Sequence, residues 1–119
     1  MTYKREFSDY INDMYDAINK IQIFSKNMNF EEFISDDKTI YAVIRCFEII
    51  GEATKKIPKI VKEKYTTVPW QEISGIRDKL IHEYFGVNLE VVWKTILEDL
   101  PELKINIEKI VDEMNQIKR

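Results

Sequence analysis

Apolar residues recur at steps of three and four, and this spacing constrains the fold more than any other feature of the sequence. Because an α-helix has about 3.6 residues per turn, side chains at these steps line one face. With only 3 glycines and 3 prolines in 119 residues, little of the chain is left for loops. A first long helix is therefore predicted from about Lys4 to Lys26. Its core-facing residues are Phe7, Ile11, Met14, Ile18 and Ile21.

A second helix is predicted from about Lys38 to Lys56, and most of its surface is apolar. A helix with so little polar surface is typically buried. Its polar residues form one narrow strip of Tyr41, Arg45, Glu48 and Glu52. The strip faces either a functional cleft or solvent, and the pattern favours neither. Arg45, Glu48 and Glu52 are therefore candidate residues of a cleft wall.

A third long helix is predicted over residues 69–85. Pro69 suits the first helical position, because its φ is preset and the missing N–H would have no partner there. Gly86 can end the helix in the left-handed conformation. Before this helix, Pro58 ends or kinks the second one, and residues 59–65 add a short, charged helical turn or two.

The last part of the chain predicts two helices that Pro101 separates. Asn88 is a candidate cap for a helix over residues 89–100, and the final helix continues to the C-terminus. No segment reads as a strand. Long helices with short connections indicate an all-α fold, an up-and-down bundle of four main helices plus a short helix. At this length we expect a single domain over residues 1–119.

The cysteine and histidine counts limit the chemistry. Cys46 is the only cysteine, which excludes an internal disulfide and fits a reducing cytosol. With one cysteine and one histidine, a zinc site within a single chain is not expected. The sequence therefore predicts no bound metal or cofactor, or at most magnesium held by carboxylates.

The net charge of −3 bears on the expected partners. A dedicated, high-affinity nucleic-acid binder usually carries a basic surface, so the charge argues against that class. It leaves room for a local basic site, and it favours a protein partner. The chain has no apolar signal segment at its start and no run of membrane-spanning length. We therefore expect a cytoplasmic protein that does not engage a membrane.

An arginine in the third predicted helix is out of place. Projected on a helix, Arg77 lies in the middle of an apolar stripe. A guanidinium that faces a core needs an acid, a polar cavity or an anion, and Glu48 or Glu52 are the acids available. His82 and Asp78 lie at the edge of the stripe, one helical turn apart. The stripe itself consists of Ile73, Leu80, Ile81 and Tyr84.

Two interpretations of this segment are open. A permanently charged arginine beside a histidine that titrates near neutral pH suits phosphate-ester chemistry. The structural alternative is an arginine paired with an acid and a histidine that only packs. From spacing alone the structural alternative is favoured, because such a pair on a helix is a weak motif.

The order of motifs resembles a known family. Arg77, His82 and Tyr84 fit the Arg-x4-His-x-Tyr signature of HepT-type proteins, a prokaryotic branch of the HEPN superfamily of small helical ribonucleases. Asp78 departs from the pattern, because this position is often asparagine, and its charge would pair with Arg77 or His82. The other matching pieces fall in the expected order and cover nearly the whole chain: Asp13-Met14, Phe33, Asp37, Arg45, Ile49 to Ala53, Val68 to Trp70, Val92-Trp93 and Leu100-Pro101.

The resemblance implies a metal-independent endoribonuclease, the toxin of a type VII-like toxin–antitoxin pair. Arg77 and His82 would carry the cleavage of an RNA substrate, with Asp78 in support. The implied antitoxin is a minimal nucleotidyltransferase that silences the toxin by attaching AMP to Tyr84. The implied assembly is a homodimer, or a higher assembly, in which two motifs meet at a shared cleft.

Two alternatives without catalysis stay open. In the first, the chain is a helical module that binds a nucleotide or docks a nucleotidyltransferase, with Arg77 as an anion anchor. In the second, it is a dimeric scaffold in which Arg77 merely pairs with Glu52.

Overall fold

The computed structural model describes residues 5–82 and 86–117, and most of the backbone in these ranges is helical. The side chains of His82 and Ile117 lie outside the description. The predicted all-α fold is confirmed. In chain order the elements are α1 (Phe7–Ser25), α2 (Phe30–Ile34), α3 (Asp37–Lys55), α4 (Lys59–Lys64), α5 (Trp70–Ser74), α6 (Ile76–Leu80), β1 (Ile81–His82), β2 (Gly86–Val87), α7 (Leu89–Lys94), a π-helical segment (Thr95–Asp99) and α8 (Leu100–Ile117).

Helices α1 and α3 match the first two predicted helices, and they pack along each other. Glu6 and Asp9 form a reciprocal capping box at the start of α1. At the start of α3 the Asp36 side chain accepts a hydrogen bond from the Thr39 backbone N–H at 3.1 Å. Each large aliphatic side chain buried between them contributes about 1.5–3 kcal/mol, so this pair forms much of the core. Its fully buried members include Ile11, Met14, Ile18, Ile21, Val43, Phe47 and Ile50.

The third helix is shorter than predicted and is broken into two pieces. Gly75 separates α5 from α6, with φ −96° and ψ 11°. α6 ends at Leu80, because Ile81 adopts an extended backbone with φ −119° and ψ 118°. The prediction of one helix over residues 69–85 is therefore wrong beyond Leu80.

Two short strands replace the predicted end of that helix. Ile81 pairs with Val87 and His82 with Gly86 in an antiparallel arrangement, and the Asn88 N–H donates to the Leu80 carbonyl at 2.9 Å. The expectation that the chain has no strand is corrected at these four residues. Gly86 does have the left-handed φ that was expected, at 73°, but it lies in this strand pair and not at a helix end.

The C-terminal helices join where two separate helices were predicted. The Asn88 side chain caps α7 as expected, accepting from the Val91 N–H at 3.2 Å. The chain then stays helical through Pro101, because a π-helical turn precedes it. Within that turn the Leu100 N–H donates to the Thr95 carbonyl, a wider span than in an α-helix. A proline cannot donate to the preceding turn, and the wider turn accommodates the missing bond.

None of the helices in the described ranges combines the length and the apolar character needed to cross a membrane.

Candidate active site

Arg77 lies at the surface, where the Glu48 carboxylate of α3 meets its guanidinium. The Arg77 Nε and the Glu48 Oε2 are 3.4 Å apart. The Arg77 side chain is 62% exposed and the Glu48 side chain 27% exposed. The prediction that Arg77 lies in the middle of a buried apolar stripe is therefore wrong. Of the two acids considered for it, Glu48 is the partner and Glu52 is not.

The break at Gly75 explains this difference. The buried residues of α5 and α6 are Trp70, Ile73, Ile76 and Leu80, and Arg77 lies beside this row. A single unbroken helix over residues 69–85 would have aligned Leu80 with Ile81 and Tyr84 as one stripe. Because the chain turns extended after Leu80, α6 buries only Ile76 and Leu80, and Arg77 points past them to Glu48.

Asp78 and His82 are no longer related by a helical turn. Asp78 is exposed on α6, whereas the His82 backbone belongs to β1. The expectation that Asp78 and His82 lie one helical turn apart is therefore wrong, and the supporting role of Asp78 stays a prediction. The His82 side chain and all of Tyr84 lie outside the described residues. Their predicted roles stay predictions.

The polar strip of α3 is divided between two surfaces. Glu48 faces Arg77, and Tyr41 is 76% exposed. Arg45 and Glu52 line a groove of about 370 Å³ between α1 and α3, which we call the α1–α3 groove. Only part of the expected cleft wall therefore adjoins Arg77.

The α1–α3 groove has charged walls and an apolar floor. Two ion pairs lie along the α1 wall: Arg5 with Asp13 at 2.7 Å, and Lys20 with Asp16 at 2.9 Å. The floor is formed by the side chains of Ala17, Cys46, Ile49 and Ala53. The remaining lining residues are Tyr10, Arg45, Glu52 and Lys56.

Sequence reasoning missed the basic residues of this groove other than Arg45. The spacing along the sequence could have indicated them. Arg45, Glu52 and Lys56 follow one another at steps of seven and four along α3 and its C-cap, and they therefore lie on one side of the helix. On α1, Asp16 and Lys20 likewise follow one another along one line. What the sequence did not indicate is that these two lines face each other.

Cys46 lies in the groove floor and is only 5% exposed. Burial is the main cause that raises the pKa of its thiol, with Lys20 opposing. A raised pKa favours the neutral thiol over the nucleophilic thiolate. Cys46 is therefore a core side chain and no candidate nucleophile. Among the residues that the structure describes, no three His, Cys, Asp or Glu side chains are grouped so as to hold a metal ion.

Comparison with known proteins identifies the family. The model of a family described as "Ribonuclease HepT-like" matches residues 14–110. "Probable ribonuclease HepT" of Thermococcus cleftensis is 50% identical over 107 residues, which cover 90% of this chain and 97% of that protein. "Putative RNase MJ1216" of Methanocaldococcus jannaschii is 47% identical over 111 residues, covering 93% of this chain and 92% of that protein. No solved structure matches significantly. The family model covers most of the chain and the similarity spans nearly the full length of both relatives, and so this chain belongs to the HepT-like ribonuclease family.

Proposed function

We propose that this protein is a metal-independent endoribonuclease in which Arg77 and His82 carry out the cleavage. The observation that carries the proposal is the position of Arg77. Its side chain is 62% exposed, on the helix that leads directly into the strand of His82. Glu48 approaches the Nε edge of the guanidinium. An arginine presents five N–H donors, so the terminal nitrogens are left to bind a phosphate.

The proposed reaction is an internal transfer at phosphorus. The RNA 2′-oxygen attacks the adjacent phosphorus, the bond to the 5′-oxygen breaks, and a cyclic phosphate remains. His82 takes the 2′-hydroxyl proton or gives one to the leaving oxygen, because imidazole titrates near neutral pH. Arg77 stabilises the negative charge on the phosphorane oxygens. Asp78 is exposed and follows Arg77 on α6, and its negative charge would support Arg77 and His82 electrostatically.

One histidine per chain suits a homodimer, because base and acid are then supplied by two copies. A symmetric contact brings the same surface of both subunits together, so two Arg77–His82 motifs would flank one RNA strand. Sedimentation of the purified protein tests this directly.

We also propose the regulation that the resemblance implies. The protein would be the toxin of a type VII-like pair in the cytoplasm, and a minimal nucleotidyltransferase would be its antitoxin. Transfer of AMP from ATP to the Tyr84 oxygen, with pyrophosphate leaving and the phenol proton released, adds bulk and negative charge two residues from His82. The added phosphate would compete with RNA for the guanidinium of Arg77.

The test compares wild-type protein with Arg77→Ala and His82→Ala on total RNA in EDTA. Intact mass first establishes that Tyr84 carries no AMP. Loss of the histidine is expected to slow cleavage by about 10²–10⁴-fold, and wild-type products should carry cyclic-phosphate ends. Lys79→Ala is the matched control, because it removes another cation from the same helix. The Lys79 side chain pairs with Asp99 at 3.5 Å and not with Glu48. Cleavage that persists in both motif variants would overturn the proposed roles.

A non-catalytic binding module is the second candidate, and the acidic balance of the chain, with a net charge of −3, favours it over a ribonuclease. The terminal nitrogens of Arg77 would then anchor an anion without cleaving RNA. In that case wild-type protein free of AMP would leave RNA intact, while still binding a nucleotide or the nucleotidyltransferase through Arg77.

A further inference from the structure

We propose that the α1–α3 groove binds the sugar–phosphate backbone of single-stranded RNA beside the cleavage motif. The inference rests on the proposed ribonuclease function, since it extends the substrate site of that enzyme. The groove would hold the strand through charge and without reading its bases. Three observations support it: the charges that are left unpaired, the position of the groove relative to Arg77, and the nature of its walls.

The unpaired charges of the groove are mainly positive. Of its four basic residues, Arg5 and Lys20 are engaged by Asp13 and Asp16. Within the described residues, Arg45 and Lys56 form no ion pair. Glu52 is the one acid of the lining without a partner there. The lining thus carries one net positive charge, whereas the whole chain carries a net charge of −3. An anionic strand is therefore attracted to this groove more than to the average surface.

Two residues of the groove lie close along α3 to Glu48, the partner of Arg77. Arg45 precedes Glu48 by three residues and Glu52 follows it by four, so each is about one helical turn from the residue that contacts Arg77. Arg45 lies on α3 and Lys56 directly follows its last residue, so the two are eleven residues apart, or about 16.5 Å at 1.5 Å per residue. Along the axis of a duplex, one strand carries a phosphate about every 3.4 Å, so the two cations are far enough apart to contact separate phosphates of one strand.

The walls favour backbone contacts over base stacking. Tyr10 is the one aromatic residue of the lining, and the Arg5 guanidinium carbon lies 4.5 Å from the centre of its ring. That face is therefore covered by a cation and offers no free surface for a base. The apolar floor of Ala17, Cys46, Ile49 and Ala53 offers a base edge no hydrogen-bonding group beyond the weak thiol of Cys46. A strand held here would be bound largely without regard to sequence.

The test measures binding of a fluorescent 2′-O-methyl RNA oligonucleotide, which cannot undergo attack by its own 2′-oxygen. The variant is the double substitution Arg45→Ala with Lys56→Ala. Its matched control is Lys38→Ala with Lys55→Ala, which removes two exposed cations of α3 that lie outside the groove. Both variants have the same net charge, so any general effect of charge is equal in the two.

We expect the groove variant to bind at least about tenfold more weakly than wild type, and the control variant to bind within about twofold. The slope of log K against log salt should fall by about 1.4 in the groove variant, for two lost phosphate contacts at about 0.7 each on a single strand. Equal weakening in both variants would overturn the inference. So would absence of binding by wild-type protein at low salt, or equally tight binding of a polyglutamate peptide that competes with the RNA.

The result is separable from the test of the ribonuclease. If wild-type protein cleaves RNA in EDTA and the two α3 variants bind RNA alike, the enzyme stands and the groove inference falls. If the groove variant alone loses RNA binding and wild-type protein cleaves nothing, the groove binds RNA and the proposed cleavage falls.

Discussion

At the scale of single residues, the contact between Arg77 and Glu48 predicts a positioning role for Glu48 in the proposed cleavage. The carboxylate meets the Nε edge at 3.4 Å and restricts where the terminal nitrogens point. An exposed ion pair of this kind is worth at most about 1 kcal/mol, which corresponds to about fivefold in rate. We expect Glu48→Ala to lower kcat by about two- to fivefold with little change in KM. Steady-state cleavage of a short RNA measures both constants.

A second substitution and the melting temperature distinguish the positioning role of Glu48 from a purely structural one. Glu48→Gln keeps an acceptor for the guanidinium and should recover part of the lost kcat, whereas the melting temperature should hardly change in either variant. Glu63→Ala is the control, since it breaks a comparable exposed pair, with Lys59 at 3.8 Å, on α4. A drop in stability that accompanies the drop in kcat, without recovery in Glu48→Gln, would contradict the positioning role.

Sequence reasoning predicted that Arg77 needs a polar partner but did not identify which one. Glu48 and Glu52 lie one turn apart on the same strip of α3, so both were consistent with the pattern. Which acid faces Arg77 depends on how α6 crosses α3, and that crossing is set by long-range packing. The need for a partner is a local property of a guanidinium. The identity of the partner is a property of the fold.

At the scale of secondary structure, the long regular helices were predicted and their interruptions were not. The spacing of apolar residues located α1 and α3, and Asn88 correctly marked the start of α7. The break at Gly75 and the π-helical turn before Pro101 leave almost no trace in the spacing. At both places a few local hydrogen bonds of a regular helix are lost. Packing compensates for this at Gly75, and the accommodation of Pro101 compensates for it at the π-helical turn. Tertiary contacts determine whether such a compensation is favourable.

Gly51 allows α5 and α6, which we call the motif helices, to approach α3 closely. A Cβ at Gly51 would lie 3.3 Å from Ile76 Cγ2 and 3.4 Å from the Ile73 carbonyl oxygen. We expect Gly51→Val to lower the free energy of unfolding by about 1–3 kcal/mol, because overpacking a filled core forces the neighbouring backbone to move. Urea denaturation followed by circular dichroism measures this loss.

The matched control for that substitution is Gly75→Val. A Cβ at Gly75 would meet nothing closer than 3.8 Å, and the residue is exposed. Its effect should stay below about 1 kcal/mol, as is usual for surface sites without special features. Equal losses in the two valine variants would mean that the cost arises from valine itself and not from the contact between α3 and α6.

At the scale of the whole molecule, Tyr65 connects the segment before the motif helices to α8. Its hydroxyl donates a hydrogen bond to the Glu113 carboxylate, 48 positions further along the chain. Its carbonyl accepts from the Trp70 indole Nε1 at 3.0 Å. Trp70 opens α5 and is 8% exposed. Tyr65 therefore links α8 to the start of α5 through two hydrogen bonds.

This connection predicts a loss of stability at alkaline pH. Burial and the neighbouring Glu113 raise the pKa of Tyr65 to about 12 in the folded protein, from its usual value of 10.0. Because the folded pKa is the higher one, the stabilisation is fully present below pH 10 and is lost as the pH rises towards 12. We expect the difference in free energy of unfolding between wild type and Tyr65→Phe to shrink across this interval. Tyr41→Phe, at a position 76% exposed, should keep a constant difference from wild type. Paired denaturation curves from pH 8 to pH 12 measure both differences in free energy of unfolding. If the difference for Tyr65→Phe stays constant as well, the hydrogen bond from the Tyr65 hydroxyl to Glu113 does not stabilise the folded protein.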